Sequence, residues 1–303
     1  MGRRSRRRTP GHLFHTSAED RQYARREVKT LGATPQLEAP AYRLAFDDED
    51  FLTREELRGV RLMLELTKPE LELQAAQISH TVVLYGSART PSPEQLAAHE
   101  AKLAQVERER PGSTQAVALR QQVKAQRQQN YYYNEARKLA RLVTDRSRCE
   151  GCPQLTIITG GGPGIMEAAN RGAAEAGGES IGLNIVLPHE QAPNTYITPR
   201  FCFQFHYFAI RKMHFLLRAR ALVCFPGGFG TLDELFETLT LVQTGKIEPI
   251  PILMFGKEFW EKSVDFNYMV EQGVISASDL DLFRYVETAE QAWEIIRDSF
   301  AEE

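Results

Sequence analysis

The sequence predicts an α/β fold, in which a doubly wound parallel sheet carries helices on both faces. Short apolar segments rich in Val, Ile, Leu and Phe alternate with longer helical segments, as in chains built from β–α–β units with right-handed crossovers. Three of the apolar segments run directly into turns that contain glycine. Because ligands of open parallel sheets bind at the carboxyl ends of the strands, these glycines indicate the binding edge of the sheet.

The segment before the predicted core is expected to contain a tail and a helical extension. Residues 1–45 mix Arg, Pro, Gly and Thr without periodicity and are expected to be a largely disordered basic tail. Residues 46–79 predict a helical extension, since 53–56 is a capping pattern that precedes an apolar helical face. Pro69 is expected to kink this helix or to begin a second one. The residues of the apolar face, which we expect to pack on the main domain or on a partner subunit, are Leu57, Val60, Leu64 and Leu71.

Residues 80–303 are expected to form a Rossmann-like core domain. Its first strand, 81–85, is followed by a segment at about 91–130 that is rich in Gln, Glu, Arg and Ala and is broken at Pro111 and Gly112. This segment predicts a surface helical hairpin, inserted before a crossover helix at 131–144. The further predicted strands are 155–159, 180–187, 200–205, 221–225 and 251–255. The further predicted helices are 165–176, 207–220, 232–244, 257–272 and 288–300.

Composition and charge argue against several classes of function. The chain has 303 residues and a net charge of -3, so no global basic field indicates a nucleic-acid partner. No apolar run approaches the roughly 20 residues that span a bilayer, and none follows the basic cluster at 3–8, so neither a membrane span nor a secretory signal is expected. The four cysteines are too few for a disulfide scaffold, and a reducing, cytoplasmic location is expected. Cys149 and Cys152 have metal or redox spacing, but no second pair completes a zinc site.

The clearest ligand-binding motif is Pro226-Gly227-Gly228-Phe229-Gly230-Thr231, which follows a buried-type strand. Gly227, Gly228 and Gly230 let the backbone approach a ligand closely. The helix that follows directs free N–H groups and a partial positive charge at the loop, and Thr231 adds a hydroxyl donor. These features predict a site for a phosphate-sized anion. The alternative is a tight turn with Thr231 as the N-cap of the helix.

Glu234 has two interpretations on spacing alone. Thr231 to Glu234 matches a capping box, in which the glutamate caps the helix backbone. A carboxylate one turn past a phosphate loop can instead reach the ribose of a bound nucleotide. The sequence pattern leaves both roles open.

A second glycine-rich turn, Gly160-Gly161-Gly162-Pro163-Gly164, also joins a strand to a helix and is competent to bind an anion. Neither glycine-rich turn has the spacing of the dinucleotide fingerprint or the lysine of a Walker A motif, so the usual NAD and ATP sites are not predicted. Pro163 is expected at the first helical position. Glu167, in the first turn of the following helix, is expected to be either a dipole partner or a ligand contact.

Arg211 and Lys212 stand in the first half of a predicted helix, where the helix dipole disfavours positive charge. A bound phosphate or a buried carboxylate would explain them, and a solvent-facing pair is the alternative. Arg218 and Arg220 stand near the predicted end of the same helix, where the dipole accounts for them. The histidines His189, His206 and His214 show no metal-ligand spacing, and no cofactor or metal is expected.

Together these motifs resemble the Lonely Guy (LOG) family, whose members were long labelled "lysine decarboxylase-like". The resemblance covers roughly residues 80–300 and rests on Gly160 to Glu167, on the Arg211–Lys212 pair and on Pro226 to Glu234. It implies that Arg211 and Glu234 are catalytic, and that Gly227, Gly228, Gly230 and Thr231 bind phosphate. It also implies that Gly86 and Ser87 line the nucleotide, and that the chain forms a homo-oligomer. We include Gly161, Gly162, Lys212 and Glu167 among the expected nucleotide contacts.

The function that the resemblance implies is hydrolysis of the N-glycosidic bond of a nucleoside 5′-monophosphate, either a cytokinin riboside monophosphate or an ordinary nucleotide such as AMP. The products would be the free base and ribose 5-phosphate. The alternative is a protein of the same fold that binds or carries a nucleotide or the molybdenum cofactor without cleaving it. Decarboxylation of lysine, suggested by the old label, would require pyridoxal phosphate. The N-terminal extension and the 91–130 insertion depart from the short family members.

Overall fold

Seven parallel strands form one sheet in the computed structural model, which describes residues 17–31, 34–147, 154–188 and 192–300. The order across the sheet is β4-β3-β2-β1-β5-β6-β7, so the chain winds outward from β1 in one direction and then from β5 in the other. The expected doubly wound fold is confirmed. The strands are β1 His80–Tyr85, β2 Leu155–Thr159, β3 Ser180–Ile185, β4 Cys202–Phe205, β5 Ala219–Cys224, β6 Ile252–Phe255 and β7 Arg284–Val286.

Twelve α-helices lie in the described part of the chain. In chain order they are α1 Ser17–Leu31, α2 Pro35–Glu38, α3 Glu49–Leu52, α4 Arg58–Ala75, α5 Pro93–Glu109, α6 Thr114–Arg146, α7 Ile165–Glu175, α8 Phe208–Leu216, α9 Phe229–Gln243, α10 Lys257–Ser263, α11 Phe266–Glu271 and α12 Ala289–Asp298. The chain divides into two compact units, 1–64 and 65–303, and the second contains the whole sheet. The sequence places the boundary later, at 79/80.

The central strands are buried on both faces, because helices cover each side of the sheet. Alternate residues of a strand point to opposite faces, and in β1 Val82 and Leu84 belong to one core while Val83 and Tyr85 belong to the other. The first core is completed by α6, α7 and α12, and the second by α8, α9, α10 and α11. Burial on both faces explains why these strands are continuous apolar runs and lack polar alternation.

The insertion is part of the crossover itself. The sequence predicts a hairpin at 91–130 followed by a separate crossover helix from about 131, whereas α6 runs without a break for 33 residues. No Gly or Pro interrupts 114–146, and Ala, Gln, Arg and Lys favour helix throughout this segment. The predicted break at Pro111 and Gly112 is present, and the Ser113 hydroxyl caps α6 by accepting from Ala116 N at 3.2 Å.

Several element boundaries differ from those that the sequence predicts. Helix α8 ends at Leu216, so the helix dipole does not account for Arg218, whose guanidinium pairs with Glu70 at 2.5 Å. Arg220 lies in β5. Ile165, and not Pro163, is the first residue of α7, and Gly164 is its N-cap. The predicted 257–272 helix is two helices because the Asp265 side chain caps α11. The edge strand β7 has three residues and is not predicted.

The N-terminal unit contains helices where the sequence predicts a tail. Helix α1 lies within 1–45, and its first turn contains Glu19 and Asp20, which favour the positive end of a helix. Helix α4 continues through Pro69 as one helix. Three of the four residues of the expected apolar face are exposed, since Val60, Leu64 and Leu71 are 42%, 53% and 58% accessible, whereas Leu57 is half-buried and precedes α4. The basic cluster at 3–8, Cys149, Cys152 and His189 lie outside the described residues.

Two glycine-to-alanine substitutions should have opposite effects on stability. A methyl group on Gly172 of α7 would collide with the backbone carbonyl of Arg137 in α6, so Gly172→Ala should force the helices apart. We expect it to lower the free energy of unfolding by about 2 kcal/mol. Gly59 of α4 has nothing within 4 Å of such a methyl, and Gly59→Ala should raise helix stability by up to about 1 kcal/mol. Thermal and urea unfolding followed by circular dichroism would measure both, and equal effects would contradict the close packing of α6 on α7.

Candidate active site

Three loops meet at the carboxyl edge of the sheet, where its winding reverses between β1 and β5. Ser87, in the loop after β1, donates its N–H to the carbonyl of Pro226 at 3.1 Å in the loop after β5. The Ser87 carbonyl accepts from Ile165 N at 3.1 Å, at the start of α7. A methyl group on Gly86 would lie 2.7 Å from the Ile165 side chain. Gly86 and Ser87 therefore fasten the three loops to one another.

The loop after β5 leads into α9, and the N-terminus of this helix has no side-chain cap. The helix begins at Phe229, and Gly228 is its N-cap. Its first N–H groups have no acceptor within the helix and point at the loop with the positive end of the dipole. Side chains at Gly228 and Gly230 would meet nothing within 4 Å, so this space is open. A side chain at Gly227 would collide with the Thr231 hydroxyl, which is buried beneath the loop.

This helix start decides between the two interpretations of Glu234. A capping box would place Thr231 at the N-cap and Glu234 at the third helical position. In the structure Thr231 is itself the third helical residue, and Glu234 lies one turn further along α9. The capping-box interpretation, and Thr231 as N-cap, are therefore wrong. The side chain of Glu234 has a different partner.

That partner is Arg211 of α8. Arg211 Nη1 donates to Glu234 Oε1 at 3.2 Å, and both side chains are almost fully buried. Arg211 Nε donates to the carbonyl of Leu183 in β3 at 2.7 Å, and the guanidinium lies over the ring of Phe215. A buried carboxylate thus accounts for the early arginine of α8. The solvent-facing interpretation is wrong for this residue.

Burial raises the pKa of Glu234 to about 7, against the opposing charge of Arg211. Asp233 raises this pKa further and Lys212 lowers it. A carboxyl group with a pKa near neutrality holds its proton in part of the molecules and releases it in the rest. Such a group can accept or donate a proton at physiological pH.

Lys212 pairs with different carboxylates from Arg211. Its ammonium lies 3.2 Å from Asp233 Oδ1 and 3.0 Å from Glu237 Oε2, both on α9. Burial lowers the pKa of Lys212, but the hydrogen bonds from Glu237 and Asp233 raise it above its ordinary value overall. The structure therefore separates the two adjacent cations, one toward a buried carboxylate and one toward two partly exposed ones.

The second glycine-rich loop, 160–164, lies beside Arg211. A methyl group on Gly160 would lie 2.6 Å from Arg211 Nη2, and Gly161 has a φ of +76° that favours glycine. The N–H of Gly161 donates to Thr159 Oγ1 at 3.0 Å, so it is not available to an anion. The carbonyls of Gly161 and Gly162 both accept from the side chain of Asn194, at 3.1 and 3.0 Å.

Asn194 and Asn170 hold this loop in place, and the sequence analysis missed both. Asn194 Nδ2 donates to Asn170 Oδ1 at 2.9 Å, and Asn170 also accepts from the hydroxyl of Thr159 at 2.7 Å. Both asparagines belong to segments without a motif, so only the folded arrangement shows their role. Glu167 of α7 accepts from the hydroxyl of Tyr133 at 2.8 Å and lines a cavity beside the loop.

His206 and His214 both contact Glu65 of α4. His214 is buried against Phe205, and its Nε2 lies 3.3 Å from the carbonyl of Glu65. The N–H of His206 donates to the Glu65 carboxylate at 2.8 Å. Within the residues that the structure describes, no cluster of three or more His, Cys, Asp or Glu side chains could hold a metal ion. Within the same residues, no helix is long and apolar enough to cross a membrane.

Comparison with known proteins confirms the resemblance to the LOG family. Residues 166–296 match the family model described as "Possible lysine decarboxylase". The chain is 26% identical over 140 residues to "Probable cytokinin riboside 5'-monophosphate phosphoribohydrolase LOG4" of Oryza sativa subsp. japonica, covering 45% of this chain and 60% of the relative. It is 27% identical over 142 residues to the corresponding LOG3 enzyme of Arabidopsis thaliana, covering 45% and 64%. The chain thus spans less than two thirds of these relatives' length.

Among solved structures, the chain is similar to the molybdenum cofactor carrier protein of Chlamydomonas reinhardtii. The identity is 16%, the match covers 73% of this chain and 99% of that one, and the TM-score is 0.40.

The raised pKa of Glu234 predicts a pH-dependent stability difference. The folded state retains the Glu234 proton up to a pH of about 7, whereas the unfolded chain releases it near 4.5. The stability that this group contributes is therefore fully present below pH 4.5 and is lost as the pH rises through 7. Relative to Glu234→Gln, wild-type stability should fall by up to about 3 kcal/mol across this window. Urea unfolding at a series of pH values would measure it, and parallel curves for the two proteins would contradict the prediction.

Proposed function

We propose that this chain, which is similar to the LOG family, hydrolyses the N-glycosidic bond of a nucleoside 5′-monophosphate, releasing the free base and ribose 5-phosphate. The observation that carries the proposal is the buried Arg211–Glu234 pair, one turn beyond an uncapped helix N-terminus. The same helix, α9, therefore carries an uncapped N-terminus, which suits an anion, and a carboxyl group whose pKa is raised to about 7. The plant relatives are named as hydrolases of this kind.

The phosphate would bind at the N-terminus of α9. The open space at Gly228 and Gly230 lets a phosphate oxygen approach the backbone N–H groups, and the helix dipole favours its negative charge. The 5′-phosphate does not react, so its binding energy serves to position the ribose. The buried hydroxyl of Thr231 keeps the loop in shape from below.

Glu234 would act on the ribose. In the reaction, the oxygen of a water molecule forms a bond to C1′ while the bond from C1′ to the base nitrogen breaks, and the base departs with the bonding electrons and gains a proton. Positive charge develops on the ribose in the transition state, as in other glycoside hydrolysis. An ionised Glu234 stabilises that charge and accepts the proton of the attacking water.

Arg211 would position Glu234 and complete the electrostatics of the site. Its Nε is held by the carbonyl of Leu183 and its Nη1 by the carboxylate, so the guanidinium has a fixed orientation. It lowers the pKa of Glu234, in opposition to the effect of burial. Without this charge, burial would keep Glu234 protonated to higher pH, and fewer molecules would have the ionised form that hydrolysis requires.

Replacement of the carboxyl group tests the proposal directly. Purified protein would be incubated with AMP, GMP, CMP, UMP and isopentenyladenosine monophosphate, and the free base followed by chromatography. Glu234→Gln should retain nucleotide binding and lose about 10²- to 10⁴-fold in kcat, because the amide can neither carry the charge nor accept the proton. Absorbance of the purified wild type would also be recorded, to test for bound pyridoxal phosphate.

Base release by the wild type alone supports the hydrolase. Tight nucleotide binding without base release from any substrate would contradict it and favour a carrier. An equal loss of binding and turnover in Glu234→Gln would remove Glu234 from the chemistry.

The pH profile provides an independent test of Glu234. If the ionised form is active, kcat/KM should rise with pH and level off above about 7. Asp233 raises the pKa of Glu234 and is itself exposed, so Asp233→Asn should shift the midpoint to lower pH. Lys212 lowers that pKa, so Lys212→Met should shift the midpoint to higher pH. With the same substrate throughout, the titration of its phosphate is common to all three curves. Unshifted midpoints would show that a different group controls the profile.

A further inference from the structure

A cavity of about 590 Å³ lies beside the loops after β1 and β2, and the insertion forms one of its walls. This volume lies within the range of small-molecule sites in proteins. From the insertion come Gln95 and His99 of α5 and Gln126 of α6. The opposite side is formed by the β1 loop, the start of α7 and the segment at 192–195.

The cavity wall presents amide and imidazole groups that both donate and accept hydrogen bonds. His99 Nδ1 lies 3.0 Å from Gln126 Oε1, which fixes the two side chains relative to each other across the hairpin. Gln95 Oε1 accepts from the N–H of Ser92, at 2.9 Å. Within the described residues, the amide nitrogens of Gln95 and Gln126 have no hydrogen-bond partner. These N–H groups are available to a ligand.

Two charged side chains also line the cavity. The guanidinium of Arg89, at an exposed position in the β1 loop, has no ion-pair partner in the described part of the chain. Glu167, on the α7 side, is held by the hydroxyl of Tyr133. A cavity with one cation, one carboxylate and several amides suits a neutral, planar, polar ligand better than it suits an anion. A guanidinium can stack on the face of such a ligand.

The geometry points to this cavity as the site of the nucleotide base, an assignment that rests on the proposed function. The N–H of Ser87 donates to the carbonyl of Pro226, and the next two residues along the chain, Ala88 and Arg89, line the cavity. Asn194, also in the wall, donates to the carbonyls of Gly161 and Gly162, in the loop where a side chain at Gly160 would collide with Arg211. The cavity therefore adjoins both loops of the candidate active site. Ligands of doubly wound sheets lie across such a reversal point.

This assignment specifies the kind of base. The Watson–Crick edge of an unmodified purine or pyrimidine offers donors and acceptors to Gln95, His99 and Gln126. An isopentenyl substituent on that edge would remove water from these amides and return no hydrogen bond, which costs free energy. The insertion thus makes the site selective for unmodified nucleotides over cytokinin nucleotides.

Binding measurements test the assignment separately from hydrolysis. The full chain with Glu234→Gln, which blocks turnover under the proposed function, would be titrated with AMP, isopentenyladenosine monophosphate and ribose 5-phosphate. The ratio of the dissociation constants of ribose 5-phosphate and AMP measures what the base contributes. Gln126→Leu and Arg89→Gln, each added to this parent, should reduce that ratio about five- to tenfold, as expected for lost hydrogen bonds or stacking. Neither should change the dissociation constant of ribose 5-phosphate.

Gln122→Leu is the matched control, because it makes the same change on the same helix at an exposed position outside the cavity. This control should leave the ratio unchanged. Because Arg89→Gln changes an exposed side chain, it tests the assignment even if Gln126→Leu fails to fold. The parent should also bind AMP more tightly than the isopentenyl nucleotide.

The assignment would be overturned if the ratio of the two dissociation constants were the same in the variants and in the control. It would also be overturned if the parent bound AMP no better than ribose 5-phosphate. Preferential binding of the isopentenyl nucleotide would overturn it as well. A wild type that binds AMP through this cavity but releases no base would leave the assignment standing and refute the hydrolase, so the two failures are distinguishable.

Discussion

The burial of one cation, the guanidinium of Arg211, constrains much of the candidate site. A buried charge is tolerated only when its hydrogen-bonding groups are paired. Arg211 Nε donates to the carbonyl of Leu183, and Arg211 Nη1 donates to the carboxylate of Glu234. The same guanidinium leaves no space for a side chain at Gly160. The charge of Arg211 is therefore satisfied only when β3, the loop after β2, α8 and α9 are assembled around it.

The same pairing balances stability against chemistry. If Glu234 were buried without Arg211 beside it, burial would keep the carboxyl group protonated. If Glu234 were instead fully exposed beside Arg211, its pKa would stay at an ordinary carboxyl value. The pKa of about 7 results from both effects acting in opposite directions. A group in this state destabilises the fold at neutral pH relative to a neutral side chain, and functional sites commonly carry such a cost. Stability at neutral pH therefore does not explain the burial of Glu234, whereas the proposed hydrolysis does.

The sequence is most informative where local rules coincide with the tertiary structure. Six of the seven strands are recognisable from the sequence, and burial on both faces makes the central ones continuous apolar runs. The glycine-rich loops are recognisable because close approach excludes side chains, as at Gly86 and Gly227. The start of α9 is not recognisable, because Thr231 is a good N-cap by type but is buried under Gly227. The role of Asn194 cannot be recognised from the sequence either, because its partners are carbonyls 32 and 33 residues away along the chain.

Helix α6 is continuous, so it connects the insertion rigidly to the core of the domain. Because α6 runs from the hairpin into the first core, the hairpin cannot shift without moving Tyr133 and Ala136, which are fully buried there. A second attachment joins Glu94 of α5 to Arg171 of α7 at 2.9 Å, and this hydrogen bond lowers the pKa of Glu94 to about 2. The Arg211–Glu234 pair lies on the opposite face of the sheet, among α8 and α9. Substitutions on the hairpin can therefore alter the cavity wall while the paired charges keep their geometry. Under the proposed function, this arrangement would separate the choice of base from the cleavage of the bond.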